Sequence, residues 1–117
     1  MPAMRRQIDV QTEQRHGYTV IRPRGEIDLH VSNDLRHALL KAVNAGAHVI
    51  VDMAGVNYID SSGIASLIEA FQRARTRDQR FRLAAVPDSA MRVMRIAQLD
   101  RVFWIYDTVA AAAGEDA

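Results

Sequence analysis

Residues 51–64 decide the fold, and they read Val-Asp-Met-Ala-Gly-Val-Asn-Tyr-Ile-Asp-Ser-Ser-Gly-Ile. The apolar run 49–51 that leads into this stretch is typical of a strand buried on both faces. Beyond it, Ile64, Leu67, Ile68 and Phe71 recur at the spacing of one helical face, which predicts a helix over 62–77. Residues 52–59, with a glycine and an asparagine, are interpreted as a connection.

The same periodicities extend in both directions from this stretch. Strand patterns precede and follow it at 8–12, 18–22, 81–86 and 102–106, and helical patterns run from 32 to 46, from 87 and over 109–113. The predicted order is β-β-α-β-α-β-α-β-α. It indicates an α/β fold with a mostly parallel sheet of four to five strands and an N-terminal antiparallel strand. We expect a single domain over 1–117 with an ordered core at about 7–113 and a fraying polar tail.

Three local features refine this prediction. Pro23 cannot donate to a sheet ladder, so the far end of the second strand is expected to be an edge or a bulge. Residues 25–28, Gly-Glu-Ile-Asp, are interpreted as a loop. The Ser-Asn-Asp run at 32–34 is expected to supply the side-chain cap of the first helix. Trp104 in its strand pattern is expected to be in the core, and the methionines at 91 and 94 to fill the core or its rim.

Composition restricts the function classes. The 117 residues carry a net charge of +1 and no cysteine, which argues against disulfides, thiol catalysis and a strong pull towards nucleic acid. The first residues lack the apolar stretch of a signal peptide, and no apolar run approaches the roughly 20 residues of a membrane span. We therefore expect a cytoplasmic protein. The arginines at 73, 75, 77, 80 and 82 are interpreted as a solvated helix face.

Functional groups in such sheets collect at the carboxyl ends of strands and the amino ends of the helices that follow. Two segments fit, 25–28 and 60–63. In one interpretation, Asp60 or Ser61 is an ordinary helix N-cap. The alternative is that Ser61 is exposed and phosphorylatable, where the helix dipole would tolerate the added charge. The residues alone leave both interpretations open.

Residues 51–64, together with the Gly-Glu-Ile-Asp block at 25–28 and the span 92–106, resemble STAS domains, specifically bacterial anti-sigma factor antagonists. The resemblance covers nearly the whole chain in the right order. It implies that Ser61 is phosphorylated by a partner that is both anti-sigma factor and ATP-dependent kinase. It also implies that Asp28 and Asp60 flank the serine, and that Ser62 and Gly63 shape the helix start.

By the same resemblance, the unphosphorylated chain captures the kinase and releases a sigma factor, and a PP2C-type phosphatase resets the switch. Relatives often carry Leu-Gly after the motif glycine and further glycines at the end of the helix. In this chain, Ile64-Ala65-Ser66 follow the motif glycine, and residues 76–80 at the end of the helix contain no glycine. These differences leave the choice of kinase open.

The main rival role is a non-enzymatic accessory subunit of a lipid-transporting ABC system, or a stress-signalling scaffold. Enzyme chemistry is disfavoured because the sequence has no Gly-x-Ser-x-Gly elbow, no phosphate-binding glycine loop and no metal-ligand cluster. The four histidines are scattered. His30 is interpreted as a surface residue, and His48 is interpreted as a packed or edge residue. We expect no cofactor and a monomer.

Overall fold

The computed structural model describes residues 8–115, which form one α/β sheet structure. The strands are β1 Asp9–Arg15, β2 Tyr18–Ile27, β3 His48–Asp52, β4 Val56–Ile59, β5 Phe81–Ala84 and β6 Trp104–Tyr106. The helices are α1 Ser32–Asn44, α2 Ser61–Thr76, α3 Asp88–Ile96 and α4 Val109–Ala112, with a 3₁₀ turn at Leu99–Arg101. The predicted α/β class is confirmed, and α2 lies within one residue of its expected bounds.

The sheet order is β1-β2-β3-β5-β6, with β4 paired to the far end of β2. β1 is antiparallel to β2, and every other pairing is parallel. β2 pairs with β3 as far as Ile21, opposite Val51, and with β4 from Gly25 onwards. Pro23 lies in the gap between these two partners, inside a central strand. The strand at Pro23 is therefore not an edge, whereas the alternative of a bulge agrees with the shift of register between Gly25 and Glu26. The missing N–H of Pro23 falls where β2 changes partner.

Two segments predicted as irregular are strands. Residues 56–59, expected to belong to a connection, form β4, and residues 25–27, expected to be a loop, form the end of β2. They pair with each other, with Ile27 opposite Ile59. Local pattern does not predict these strands, because turn-forming residues such as Gly55 lie next to them. The hydrogen bonds that stabilise each strand come from a segment about 30 residues away in sequence.

The start of α1 also differs from the prediction. Its N-cap is Val31, which makes no side-chain capping bond, so the expected side-chain cap at 32–34 is wrong. The backbone carbonyl of Asp28 takes over this role and accepts from the amides of Val31 at 3.1 Å and Ser32 at 2.8 Å. Asp28 is thus tied to the start of α1.

The helices cover both faces of the sheet. Side chains alternate along β3, so Val49 and Val51 pack with α1, α2 and α3, whereas Ile50 packs with α4. Gly63 and Ile64 lie in the larger layer, at the point where α2 begins. The core therefore fixes the amino end of α2 against the carboxyl ends of β2 and β4.

Trp104 is 66% exposed, so its expected place in the core is wrong. The neighbouring Phe103 is buried instead, with its ring centroid 5.1 Å from that of Phe71. Because side chains alternate between faces, a shift of one residue moves an aromatic ring from the core to the surface. Met94 is fully buried and Met91 packs beside the core, as predicted.

The chain ends and the arginines bring further corrections. Glu115, in the tail expected to fray, bonds Arg15 at 2.7 Å. Residues 116–117, and Gln7 at the start of the expected core, lie outside the described residues. Arg80 and Arg82 are not on the predicted helix face, because α2 ends at Thr76 and Arg82 lies within β5.

Candidate functional site

The candidate site lies at the amino end of α2, where Asp60 is the N-cap. Its Oδ1 atom accepts hydrogen bonds from the amide of Ser62 at 2.9 Å and the amide of Gly63 at 3.2 Å. The Ser62 hydroxyl donates to the same oxygen at 2.6 Å. An aspartate in this position satisfies amides that have no partner within the helix, which explains why α2 starts at Ser61.

The two serines of the motif have different environments. Ser62 is half-buried and its hydroxyl is held by Asp60. Ser61, the first residue of α2, is exposed, and within residues 8–115 its hydroxyl has no hydrogen-bond partner. The cap is therefore Asp60 and not Ser61. Of the two hydroxyls, that of Ser61 is the one open to another molecule.

Asp28 lies beside this cap because β2 and β4 are parallel and end together. Ile27 pairs with Ile59, and the amide of Asp60 donates to the carbonyl of Ile27 at 3.0 Å. The Asp28 carboxylate accepts from the amide of His30 at 3.0 Å. The two aspartates that follow these strands thus occupy neighbouring positions at one edge of the sheet.

The pKa of Asp60 is lowered from its ordinary value of 3.8. The largest cause is the hydrogen bond from the Ser62 hydroxyl, and the amides of Gly63 and Ser62 add to it. Partial burial and the negative charge of Asp28 act in the opposite direction. Asp60 is therefore ionised at neutral pH, and the charge of Asp28 reaches it.

Gly63 allows α2 to approach the sheet closely. A Cβ atom at this position would lie 2.6 Å from Cγ1 of Ile59 and 2.8 Å from Cγ2 of Ile27. Both isoleucines are buried, so they have little room to yield. A side chain at residue 63 would push the amino end of α2, with Ser61, away from Asp28.

A shallow groove of about 350 Å³ runs from Ser62 between α1 and α2. The Ser66 hydroxyl lies 3.1 Å from two possible acceptors, the carbonyl of Ser32 on α1 and that of Ser62 on its own helix. Leu29 lines the groove and is 75% exposed. Sequence analysis named Ser66 only as a departure from relatives and missed Leu29, although a leucine in the segment after Asp28 was a visible signal.

An ion pair crosses the same groove further from the motif. Arg36 of α1 contacts Glu69 of α2 at 2.8 Å. The pairing raises the pKa of Arg36 and lowers that of Glu69, in each case chiefly through their hydrogen bond. The contact links α1 and α2 at the surface, where such pairs contribute little to stability.

The histidines lie apart from this cap. Exposed His30 follows β2 as predicted, and His48 accepts the amide of Arg80 on Nδ1 at 2.9 Å, which is a structural role. Over residues 8–115, no group of three or more side chains of metal-ligating type lies together. Among the helices described, none has the length and apolarity to cross a membrane.

Comparison with known proteins matches residues 9–112 to the model of the STAS domain. The chain is 28% identical over 94 residues to an anti-sigma-B factor antagonist of Listeria monocytogenes, covering 80% of this chain and 82% of that protein. An anti-sigma factor antagonist from Mycobacterium paratuberculosis superposes with a TM-score of 0.84 at 23% identity, covering 92% of each chain.

The Bacillus cell fate determinant SpoIIAA, solved in its phosphorylated form, superposes with a TM-score of 0.72 at 22% identity. The match covers 92% of this chain and 98% of that one. At this identity the likeness shows a shared fold.

Proposed function

Because the chain belongs to the STAS domain family, we propose that it is a protein-binding switch controlled by phosphorylation of Ser61. In the unphosphorylated state it sequesters an anti-sigma factor that is also a serine kinase, and so frees a sigma factor. The Listeria relative carries the name of an anti-sigma-B factor antagonist, which supports the partner class. SpoIIAA exists in a phosphorylated form, which supports the chemistry.

The observation that carries the proposal is the different use of the two hydroxyls. Asp60 holds the hydroxyl of Ser62 at 2.6 Å, whereas that of Ser61 is exposed at the first residue of α2. A kinase needs a hydroxyl that it can reach without breaking the fold. Ser61 meets that requirement, and Ser62 would have to give up a bond to the helix cap.

The cap also determines where a phosphate would lie. Asp60 already occupies the amides of Ser62 and Gly63, which are donors that an anion at this helix end would otherwise use. A phosphate on Ser61 therefore stays at the surface, beside the carboxylates of Asp60 and Asp28. It carries a charge of about −1.5 to −2. The helix dipole offsets part of the repulsion by about 0.3–1 kcal/mol, so the fold tolerates the change.

A bound partner does not tolerate the same charge. Like charges brought together at an interface cost several kcal/mol, and about 2.7 kcal/mol corresponds to a hundredfold change in affinity. Phosphorylation then releases the partner without refolding the domain. A PP2C-type phosphatase restores the binding state. The chain acts in the cytoplasm as a monomer, as the substrate of the kinase and not as a catalyst, and uses no cofactor or nucleic acid.

The test is intact mass with site mapping of the chain purified from its own cells. We expect one phosphate in the unaltered chain, none in Ser61→Ala, and one again in the matched control Ser62→Ala. A phosphate that persists in Ser61→Ala contradicts the assignment of the residue. The complete lack of phosphate under every growth condition would contradict the switch and favour the transporter-subunit or scaffold role.

A further inference from the structure

One cavity within the described residues lies at the opposite end of α2 from Ser61. It has a volume of about 540 Å³ and opens between the carboxyl end of α2 and the amino ends of β5 and β6. Arg75 on its wall is 14 residues along α2 from Ser61, which corresponds to about 21 Å at 1.5 Å per residue. Its volume is in the range of ligand pockets, roughly 300–1,000 Å³.

Two arginines of this cavity have guanidinium groups that are available to a ligand. Arg75 and Arg80 make no ion pair with a carboxylate in residues 8–115, in contrast to Arg15, Arg22 and Arg36. The guanidinium of Arg80 has one hydrogen bond within that range, a long one of 3.4 Å to the hydroxyl of Tyr18. Their N–H groups therefore remain free for an external acceptor.

A third arginine is held in place and fixes the positive potential of the cavity. Arg82 donates to the carbonyl of Ala112 at 2.7 Å. Its guanidinium also lies 5.4 Å from the ring centres of Tyr18 and Tyr106. These contacts position the guanidinium, and an arginine side chain is positively charged whether or not a ligand is bound.

The charge of the lining matches one class of anion. The lining of the cavity includes three arginines and one carboxylate, that of Asp78, which together carry a net charge of +2. A phosphate monoester carries about −1.5 to −2 at neutral pH and offers three acceptor oxygens. A carboxylate has one negative charge and can be satisfied by one arginine fork. Two free guanidinium groups therefore favour a phosphate.

The rim of the cavity supplies an aromatic surface. Trp104 lines it with an indole that is 66% exposed, and Val102 and Phe71 form apolar parts of the wall. This aromatic side chain is part of the same lining as the arginines. It is suited to stacking against a planar ring.

We propose that this cavity binds a small aromatic phosphate monoester, with the phosphate on Arg75 and Arg80 and the ring against Trp104. The alternative structural role of these arginines is to offset the negative carboxyl end of α2. That role requires no ligand and leaves the exposed indole unexplained. The proposal does not depend on the switch at Ser61, which lies at the other end of the helix.

The experiment is an NMR titration of the ¹⁵N-labelled full chain, following the indole N–H of Trp104, the sole tryptophan. Phenyl phosphate is the probe, and phenol and inorganic phosphate are its two halves. We expect a saturable shift with phenyl phosphate and at least tenfold weaker binding of either half. Arg75→Gln and Arg80→Gln should each weaken phenyl phosphate binding about tenfold while the rest of the spectrum stays that of the folded chain.

The matched control is Arg92→Gln, which removes the same charge from an exposed position of α3 outside the cavity. It should leave the affinity unchanged. An equal loss of phenyl phosphate affinity in Arg92→Gln would show that binding is general electrostatic attraction, and it would overturn the site. Phenol binding as tightly as phenyl phosphate, or no saturable shift of the Trp104 indole, would overturn it as well.

Discussion

Replacing Gly63 by alanine tests whether close packing of α2 on the sheet positions Ser61. The new methyl carbon would start 2.6 Å from Cγ1 of Ile59 and 2.8 Å from Cγ2 of Ile27. Carbon atoms normally meet at about 3.5–4.0 Å, so roughly 1 Å of separation must open between α2 and the strands. Ile27 and Ile59 are both buried, so neither can turn away into solvent.

Two opposing terms set the size of the effect. Overpacking a core costs about 1–3 kcal/mol, and alanine in place of glycine returns up to about 1 kcal/mol through helix propensity. We expect Gly63→Ala to lower the free energy of unfolding by about 1–2 kcal/mol. That corresponds to a fall in the melting temperature of several degrees for a domain of this size. The displaced helix start should also weaken partner binding.

The assay is urea unfolding at 25 °C followed by far-ultraviolet circular dichroism. The matched control is Gly55→Ala, whose methyl carbon would lie 3.0 Å from Cγ of Arg24, an exposed and flexible side chain. It should change stability by less than about 0.5 kcal/mol, as surface substitutions commonly do. If Gly63→Ala proves as stable as the unaltered chain, α2 is not held against the isoleucines as described and the reasoning is refuted.

The remaining predictions concern single side chains. Asp60→Ala should lower the free energy of unfolding in urea by about 1–2 kcal/mol because an N-cap is lost. If Asp60→Glu were as stable as the unaltered chain, the capping geometry would be contradicted. The pKa of Asp60 is lower in the folded chain than in the unfolded chain. Its ionised form therefore contributes fully to the free energy of unfolding above the unfolded pKa of about 3.8, and this contribution is lost as the pH falls through the lower folded pKa. The difference in free energy of unfolding between the unaltered chain and Asp60→Asn should therefore narrow as the pH falls below the unfolded pKa of Asp60. In a carboxyl NMR titration, Asp28→Asn should lower the pKa of Asp60 further. Ser66→Ala should cost about 1 kcal/mol by thermal unfolding, since it removes a buried hydroxyl bonded to α1, whereas exposed Trp104→Ala should stay within about 0.5 kcal/mol.

The parts of the fold that were predicted correctly have strong local patterns. α2 carries apolar residues at helical spacing over two turns, and β3 is centred on the apolar run 49–51, so both are evident from local pattern. The same holds for a cap at residue 60 or 61, which the structure assigns to Asp60, because a cap bonds only to the next three residues. β4 could not be found in this way, since its four residues are a strand only through pairing with β2.

The candidate site shows the same division. The sequence placed Asp28 after the second strand and Asp60 ahead of the predicted helix, and resemblance to a family attached roles to them and to Ser61. Local pattern could not distinguish the hydroxyl of Ser61 from that of Ser62. The structure separates them, because the rotation of the helix start turns Ser62 towards Asp60 and leaves Ser61 exposed.

The sequence by itself determined the α/β class, the strand before the motif, and a polar cap at the start of α2, because these follow from periodicity and from contacts within a few residues. Only the tertiary structure decided that β2 exchanges β3 for β4, that Trp104 faces solvent, and that Arg75 and Arg80 share a cavity. These features depend on strand register and on contacts between distant segments. A one-residue shift reverses the face of a side chain without changing the pattern that predicts the strand.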